Sequence, residues 1–177
     1  KYIFVTVKKR FDRKLRIGYT QTEMVDEVSQ IHHEMIREAL LLTGVSHGIE
    51  VTTMGDIPSE GSGLGSSSTV TVGALHALHT YLSNSVTMEQ LAREACDIEI
   101  GRLGKPIGIQ DQYIAAYGNL RFFEFCPDGQ VKVEKVILDT DLRRELNDRF
   151  MLFFTGISRK ADSVLTEQKS NIKDRMN

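Results

Sequence analysis

The chain has 177 residues, of which 41% are hydrophobic, so it can bury the core of one ordinary domain, or of one domain with part of a second. Its 22 lysines and arginines nearly balance its 24 aspartates and glutamates. This balance argues against a nucleic-acid or membrane-surface function and favours small-molecule partners. Cys96 and Cys126 lie outside any Cys-x-x-Cys pair, which argues against a thiolate zinc site and predicts a reducing, cytoplasmic setting. No apolar run approaches the roughly 20 residues that a membrane helix needs.

The first part of the chain predicts two strands, a helix and a third strand. Alternating patterns at residues 2–7 and 15–19 predict strands, and the charged stretch 8–14 between them predicts a hairpin connection. Residues 22–26 are predicted as a loop or the entry to a helix. Apolar positions from Val28 to Leu40 then recur at helical spacing, which predicts an amphipathic helix that ends near Gly44. Residues 49–54 predict a strand.

A glycine- and serine-rich stretch at residues 58–68 follows that strand and precedes a helical pattern from Val70 to Leu82. In this order the stretch could hold a phosphate on the free N–H groups and positive dipole of the helix N-terminus. Composition alone favours equally an ordinary turn before a capped helix. The stretch is not a Walker A motif, because Ser66 rather than lysine follows Gly65. It also lacks the third glycine of a dinucleotide fingerprint.

The second part of the chain predicts four helices, a hairpin and one further strand. Thr87 and Gln90 indicate a capping box for a helix over residues 88–103, and the loop 106–113 opens a short helix toward Gly118. Strands are predicted at 120–125 and 131–137 around the turn that contains Gly129. A short helix at 142–146, an apolar strand at 150–154 and a final helix complete the chain. The last strand and helix have few partners, which indicates the start of a second domain.

Three features in order resemble the galactokinase, homoserine kinase, mevalonate kinase and phosphomevalonate kinase (GHMP) superfamily. Pro58 is followed by the Gly-Leu-Gly-Ser-Ser run of residues 63–67, and Glu99 falls where the superfamily places a metal-binding glutamate. Residues 108–112, Gly-Ile-Gln-Asp-Gln, resemble the Gly-Ile-Met-Asp-Gln segment of galactokinases. The runs 102–106 and 154–161 look most like the bacterial D-glycero-D-manno-heptose 7-phosphate kinase branch.

The resemblance implies an α+β fold with two parts. Residues 1–148 would form the GHMP-kinase N-terminal domain, of the ribosomal protein S5 domain 2-like type, with a mixed sheet and helices on one side. Residues 149–177 would begin a ferredoxin-like C-terminal domain. The superfamily's first strands and their basic, sugar-contacting motif would precede Lys1, and its late glycine-rich motif would follow Asn177.

The resemblance also implies a site that uses ATP and Mg²⁺. Asp111 would sit at the acceptor hydroxyl, and Ser67 and Glu99 would hold the metal, with Ser66 as the rival hydroxyl. The nucleotide phosphates would contact Pro58, Gly61, Gly63, Leu64, Gly65, Ser66, Ser67 and Ser68, and the substrate would contact Gly108, Gln112 and Arg159. Taken singly, Asp111 is better explained as a helix N-cap and Glu99 as a solvated helix carboxylate, whereas Arg159 is equally part of a solvated helix start.

The implied function is ATP-dependent phosphorylation of a hydroxyl on a sugar or sugar phosphate. D-glycero-D-manno-heptose 7-phosphate is the expected acceptor, for activated heptose and surface polysaccharide synthesis, by a cytoplasmic monomer or homodimer. One alternative is a nucleotide- and sugar-binding module without turnover. Another is a kinase of the same superfamily with fucose, galactose or mevalonate as its acceptor.

Overall fold

A computed structural model describes residues 2–56 and 64–153, and within them it contains six strands and five α-helices. The strands are β1 (Ile3–Lys9), β2 (Leu15–Gly18), β3 (Thr22–Val25), β4 (Ile49–Gly55), β5 (Arg121–Phe125) and β6 (Val131–Lys135). The helices are α1 (Glu34–Thr43), α2 (Ser66–Tyr81), α3 (Met88–Cys96), α4 (Gln110–Tyr117) and α5 (Thr140–Asp148). Two compact units divide these elements, one reaching Ala116 and the other beginning at Tyr117. None of the helices in the described ranges is both long and apolar enough to cross a bilayer.

The first unit contains a four-stranded mixed sheet in the order β1-β4-β2-β3, which confirms the expected α+β fold. Strand β4 pairs antiparallel with β1 and parallel with β2, so the predicted hairpin between the first two strands is wrong. The stretch between β1 and β2 instead runs beside the entry to β4, where the Arg10 N–H donates to Gly48 O and the Gly48 N–H donates to Arg13 O. The antiparallel hairpin of this sheet joins β2 to β3. The chain then crosses over through α1 before it forms the parallel pair of β2 and β4.

One face of this sheet carries the hydrophobic core. Leu15, Ile17, Ile49 and Val51 alternate along the two central strands and are fully buried, as expected of a strand with one face in the core. They belong to one cluster with apolar residues of the helices, which include Ile36, Ala39, Leu40, Leu75, Leu78, Leu91 and Ile98. On the other face Glu50 forms ion pairs with Lys8, Arg10 and Arg16. The core therefore holds α2, the helix that follows the glycine-rich stretch, against the sheet.

The segment between β2 and α1 differs from its sequence prediction. Residues 22–25 form strand β3 rather than a loop or helix entry, and the predicted single helix is a 3₁₀ turn (Val28–Gln30) followed by α1. The buried carboxylate of Glu23 explains this break, because it accepts hydrogen bonds from the N–H groups of His32 and His33 at 2.6 and 3.1 Å. These two residues are thereby held next to β3, and α1 begins only at Glu34.

The second unit contains the predicted hairpin and a capped helix. Strands β5 and β6 pair antiparallel, and the Gly129 N–H donates to Cys126 O across the turn. Asp139 caps α5 by accepting from the Leu142 N–H at 2.8 Å. The strand predicted at 150–154 is not formed by residues 150–153, which find no partner strand among the described residues. Phe154 and the predicted final helix lie outside the described residues, so the domain boundary at 148/149 stays a prediction.

Candidate active site

Helix α2 begins immediately after Gly65, which has φ +68° and ψ 22°. This left-handed conformation suits glycine, because a Cβ in that region crowds the following carbonyl. The Thr69 N–H donates to Gly65 O at 3.0 Å, so the helical bonding starts there. Ser66 and Ser68 are buried, Ser67 is half-buried and Leu64 is exposed. Of the predicted phosphate-contacting residues, Pro58, Gly61 and Gly63 lie outside the described residues.

Glu99 lies directly beneath the start of α2. The hydroxyls of Ser67 and Ser68 each donate to Glu99 Oε2 at 3.2 Å. The Glu99 side chain is fully buried, so the alternative of a solvated helix carboxylate is wrong. Burial raises the pKa of Glu99, while the hydroxyls of Thr71, Ser67 and Ser68 and the charge of Lys105 act in the opposite direction. A carboxyl in this position is expensive to keep charged unless a cation or further donors accompany it.

The backbone that carries Glu99 is a π-helical segment (Asp97–Arg102) that continues from α3. The Leu103 N–H donates to Ile98 O at 3.0 Å, a bond that spans five residues. The sequence predicted an ordinary helix through this segment. Such π turns inside α-helices are rare and occur frequently at functional sites. Gly104, with φ +63°, then ends the segment, and the Lys105 N–H donates to Glu99 O at 2.9 Å.

Asp111 is a second carboxylate near the start of α2. A Cβ placed on Gly65 would lie 3.5 Å from Asp111 Cγ and Oδ2. Asp111 is the second residue of α4 and is exposed to solvent. It is not the N-cap residue, because α4 begins at Gln110 and its first bond runs from the Tyr113 N–H to Ile109 O at 3.3 Å. The structure therefore brings an accessible carboxylate beside a helix N-terminus.

Gln112 is fully buried beside Ser68. An amide nitrogen donates and carbonyl oxygens only accept, so the orientation that satisfies its neighbours directs Nε2 toward Gly108 O and Ile109 O, each at 3.2 Å. Gln112 Oε1 then lies 3.1 Å from Ser68 Oγ. The predicted substrate contact through Gln112 has no exposed side-chain surface to support it, whereas Gly108 is exposed. Arg159, the third predicted substrate contact, lies outside the described residues.

The oxygens of Ser67 and Glu99 fit the requirements of a magnesium ion. Mg²⁺ prefers oxygen ligands and usually takes one or two from protein, with water and phosphate oxygens completing its shell. Among the described residues no lysine or arginine forms an ion pair with Glu99, and Lys105 is engaged with Glu34 at 2.8 Å. Those residues also contain no group of three or more His, Cys, Asp or Glu side chains that could hold a metal by themselves. The donor set therefore suits a metal shared with a bound phosphate.

Two buried polar contacts that support the site were not predicted from the sequence. His79 Nε2 lies 2.8 Å from Glu94 Oε2 and joins α2 to α3, the two helices that carry the serines and lead to Glu99. The Glu23 carboxylate connects β3 to the residues before α1 by accepting from the N–H groups of His32 and His33. The signal for His79 was its position beside Leu75 and Leu78 on the apolar stripe of α2, which places a polar ring inside the core. No comparable pattern marks Glu23, because its partners are backbone N–H groups.

Comparison with known families agrees with this geometry. The family model for the GHMP kinases N terminal domain matches residues 18–119, which run from the last residue of β2 through α4 and include every described residue of the site. The chain belongs to the GHMP kinase family.

Individual relatives point to sugar-phosphate kinases within the family. The chain is 30% identical over 188 residues to a D-glycero-alpha-D-manno-heptose 7-phosphate kinase of Campylobacter jejuni, across 98% of this chain and 54% of that protein. A D-glycero-D-manno-heptose 1-phosphate kinase from Bacteroides thetaiotaomicron has a similar structure, with a TM-score of 0.73 and 27% identity over 80% of this chain and 50% of that one. The mevalonate kinase of Methanococcus jannaschii, at 18% identity and a TM-score of 0.54 over 64% of this chain and 40% of its own, shares the fold. The chain thus spans about half the length of the heptose kinases that it matches.

Proposed function

We propose that this chain forms the nucleotide- and metal-binding part of an ATP- and Mg²⁺-dependent kinase that phosphorylates a hydroxyl of a sugar phosphate. The observation that carries the proposal is the arrangement at the start of α2. Asp111 lies beside Gly65 and is exposed, and the fully buried Glu99 accepts from Ser67 and Ser68. Groups that can bind a nucleotide phosphate, hold a cation and accept a proton are thereby brought together at the first turn of α2.

Each described group has a role that phosphoryl transfer requires. The N–H groups and positive dipole of a helix N-terminus favour anions, so the start of α2 would stabilise phosphate oxygens. The Ser67 hydroxyl and the Glu99 carboxylate would hold Mg²⁺, which when bound neutralises charge on the phosphates. Asp111 is exposed and can accept the proton of an acceptor hydroxyl, or orient that hydroxyl for attack. The α2 N-terminus carries no Walker lysine, so the remaining positive charge must come from the metal or from other parts of the protein.

The acceptor that we propose is a heptose phosphate. Support comes from the names of the two heptose kinases above, since one is described for the 7-phosphate and the other for the 1-phosphate. Both names share a heptose that already carries a phosphate, so we place D-glycero-D-manno-heptose 7-phosphate first and the 1-phosphate second. A cytoplasmic location follows from the proposed use of ATP, and we propose either a monomer or a homodimer.

The test uses the complete protein, with the chain segments that its relatives have beyond this sequence. ADP release is measured with heptose 7-phosphate, heptose 1-phosphate, fucose, galactose and mevalonate. We expect turnover with a heptose phosphate that requires Mg²⁺, and we expect Asp111→Asn to lower kcat by about 10²–10⁴-fold. Asp26→Asn is the matched control, because Asp26 is an exposed carboxylate that pairs with Lys14 after β3.

Two results would contradict the proposal in different ways. Near-normal turnover by Asp111→Asn would remove the catalytic role from that residue. Tight binding of ATP and a sugar phosphate without ADP production would show a binding module and not a kinase. Turnover with another acceptor of the panel would support the proposed kinase activity and contradict the proposed substrate.

A further inference from the structure

We propose that Gln112 is a positioning residue that fixes Asp111 relative to the N-terminus of α2; this inference rests on the proposed kinase function. Gln112 is fully buried and directly follows Asp111 in the first turn of α4. Its amide contacts groups on two different segments, Ser68 in α2 and the carbonyls of Gly108 and Ile109 in the loop before α4. One side chain therefore connects the proposed phosphate-binding helix to the loop that leads to the proposed acceptor carboxylate.

The loop needs such a connection. Residues 104–109 belong to neither a helix nor a strand, and they run from the end of the π-helical segment to α4. The Gln112 amide donates to two of their carbonyls at 3.2 Å and accepts from Ser68 Oγ at 3.1 Å. Buried amide bonds of this kind hold a backbone in one arrangement, because breaking them leaves polar groups without partners in the core. Asp111 is the neighbour of Gln112, so its location follows from these three bonds.

Ser68 makes the connection specific. Its hydroxyl lies 3.2 Å from Glu99 Oε2 and 3.1 Å from Gln112 Oε1, but it has one proton to donate. Ser67 also contacts Glu99 Oε2 at 3.2 Å, and it makes no hydrogen bond with Gln112. Ser67 can therefore supply the donor to Glu99 while the single proton of Ser68 is donated to Gln112 Oε1. This difference gives a matched pair of variants.

A purely structural Gln112 would behave differently from a positioning one. Loss of a structural contact lowers stability and the amount of folded protein without a selective change in one kinetic constant. Loss of a positioning contact lowers kcat, because Asp111 is displaced, and leaves the Michaelis constant for ATP nearly unchanged, because the α2 N-terminus stays in place.

The experiment is a double-mutant cycle in the complete protein. Gln112→Met keeps the volume of the side chain and removes its hydrogen bonds. We expect kcat to fall by about tenfold or more and KM for ATP to change by less than about twofold. Combined with Ser68→Ala, the loss should be smaller than the product of the two single losses by about threefold or more. Combined with Ser67→Ala, the losses should multiply.

Gln112→Glu gives a second readout. Its carboxylate faces the carbonyls of Gly108 and Ile109 without a proton to donate, and lowering the pH restores a donor. We expect its activity relative to the wild type to rise as the pH falls, a change that Gln112→Met should not show.

Amide hydrogen exchange separates this inference from the proposed function. Gln112→Met should speed exchange in residues 105–111 and leave α2 protected, whether or not an acceptor is turned over. A wild type without kinase activity on any acceptor would overturn the function, and the exchange result would still decide whether Gln112 holds the loop. Unchanged exchange, a wild-type kcat in Gln112→Met, or multiplying losses with Ser68→Ala would overturn the positioning role.

Discussion

Gly65 lies beside the carboxylate of Asp111, at a separation where a Cβ on residue 65 would stand 3.5 Å from Asp111 Cγ and Oδ2. That distance is ordinary van der Waals contact, so the side chain of an alanine would fit but would fill the space between helix start and carboxylate. The backbone of Gly65 is also left-handed, with φ +68°. Two constraints thus favour glycine at residue 65: its left-handed backbone and the nearby carboxylate of Asp111.

Gly65→Ala is expected to cost stability and activity together. The left-handed conformation costs a residue with a Cβ about 1–2 kcal/mol, and the added methyl group shields Asp111 from the phosphates. Gly44→Ala is the matched control, because Gly44 has φ +76° at the end of α1 and no atom within 4 Å of its Cβ position. Thermal unfolding should show similar losses for both variants, and the ADP assay should show loss of kcat only for Gly65→Ala. Equal activity in the two variants would contradict the role given to this contact.

Glu99→Gln is expected to weaken binding of Mg²⁺ with ATP without unfolding the protein. The amide keeps an oxygen that accepts from Ser67 or Ser68 and removes a negative charge that is fully buried. Titration calorimetry should show the affinity for MgATP reduced by about tenfold or more, about 1.4 kcal/mol, while the melting temperature is maintained or raised. Glu94→Gln makes the same chemical change at the carboxylate that contacts His79 and should leave MgATP affinity unchanged. Unaltered MgATP affinity in Glu99→Gln would remove Glu99 from the metal site.

Glu23 is expected to make stability depend on acid pH. Burial raises the pKa of Glu23, but the N–H groups of His32 and His33 and the Tyr19 hydroxyl outweigh burial, so the net shift is downward from 4.5. A lowered folded pKa means that the carboxylate contributes stability above the unfolded value and that this contribution disappears as the pH falls through the folded value. Urea unfolding should show Glu23→Gln less stable by about 1–3 kcal/mol at pH 7. The difference in the free energy of unfolding between the variant and the wild type should narrow below pH 4.5. A difference that stays constant down to pH 2 would contradict this account.

Cys96 is expected to resist alkylation in the folded protein. Burial, together with the charges of Glu99 and Glu89, raises the pKa of its thiol to about 12, and the thiolate is the reactive form. Iodoacetamide at pH 8 should label Cys126, in the turn between β5 and β6, before Cys96. Mass spectrometry of a Cys126→Ser variant would show whether the remaining label appears only after denaturation. Equal labelling rates for the two cysteines in the folded state would contradict the prediction.

Local patterns predicted the elements of the site well, and pairing between distant segments was harder. The helix after the glycine-rich stretch, the helix from Met88 and the hairpin around Gly129 follow from spacing and turn residues within about ten positions of each other. The predicted hairpin of the first two strands failed, because the true partner of both is β4, more than thirty residues later. Alternation shows which residues face the core and does not show which strand lies beside them.

The site itself was predicted by residue type and not by its contacts. The resemblance pointed to Ser67, Glu99 and Asp111, and the structure adds that Glu99 is buried and that Asp111 lies beside Gly65. The π-helical turn that carries Glu99 was not predicted, because a segment of 6 residues is too short for a change of helical pitch to appear as a pattern of apolar residues. Gln112 was expected to meet substrate, and only its burial reveals a different set of partners.

The position of β4 between β1 and β2 has a consequence for the synthesis of the protein. Strand β1 ends at Lys9 and its partner β4 ends at Gly55, so a ribosome adds the intervening residues over roughly 2–9 s before the pair can form. During that interval the alternating apolar residues of β1 have emerged ahead of the strand and the helix that cover them. During this interval newly made chains therefore expose the apolar face of β1 to aggregation with other extended segments.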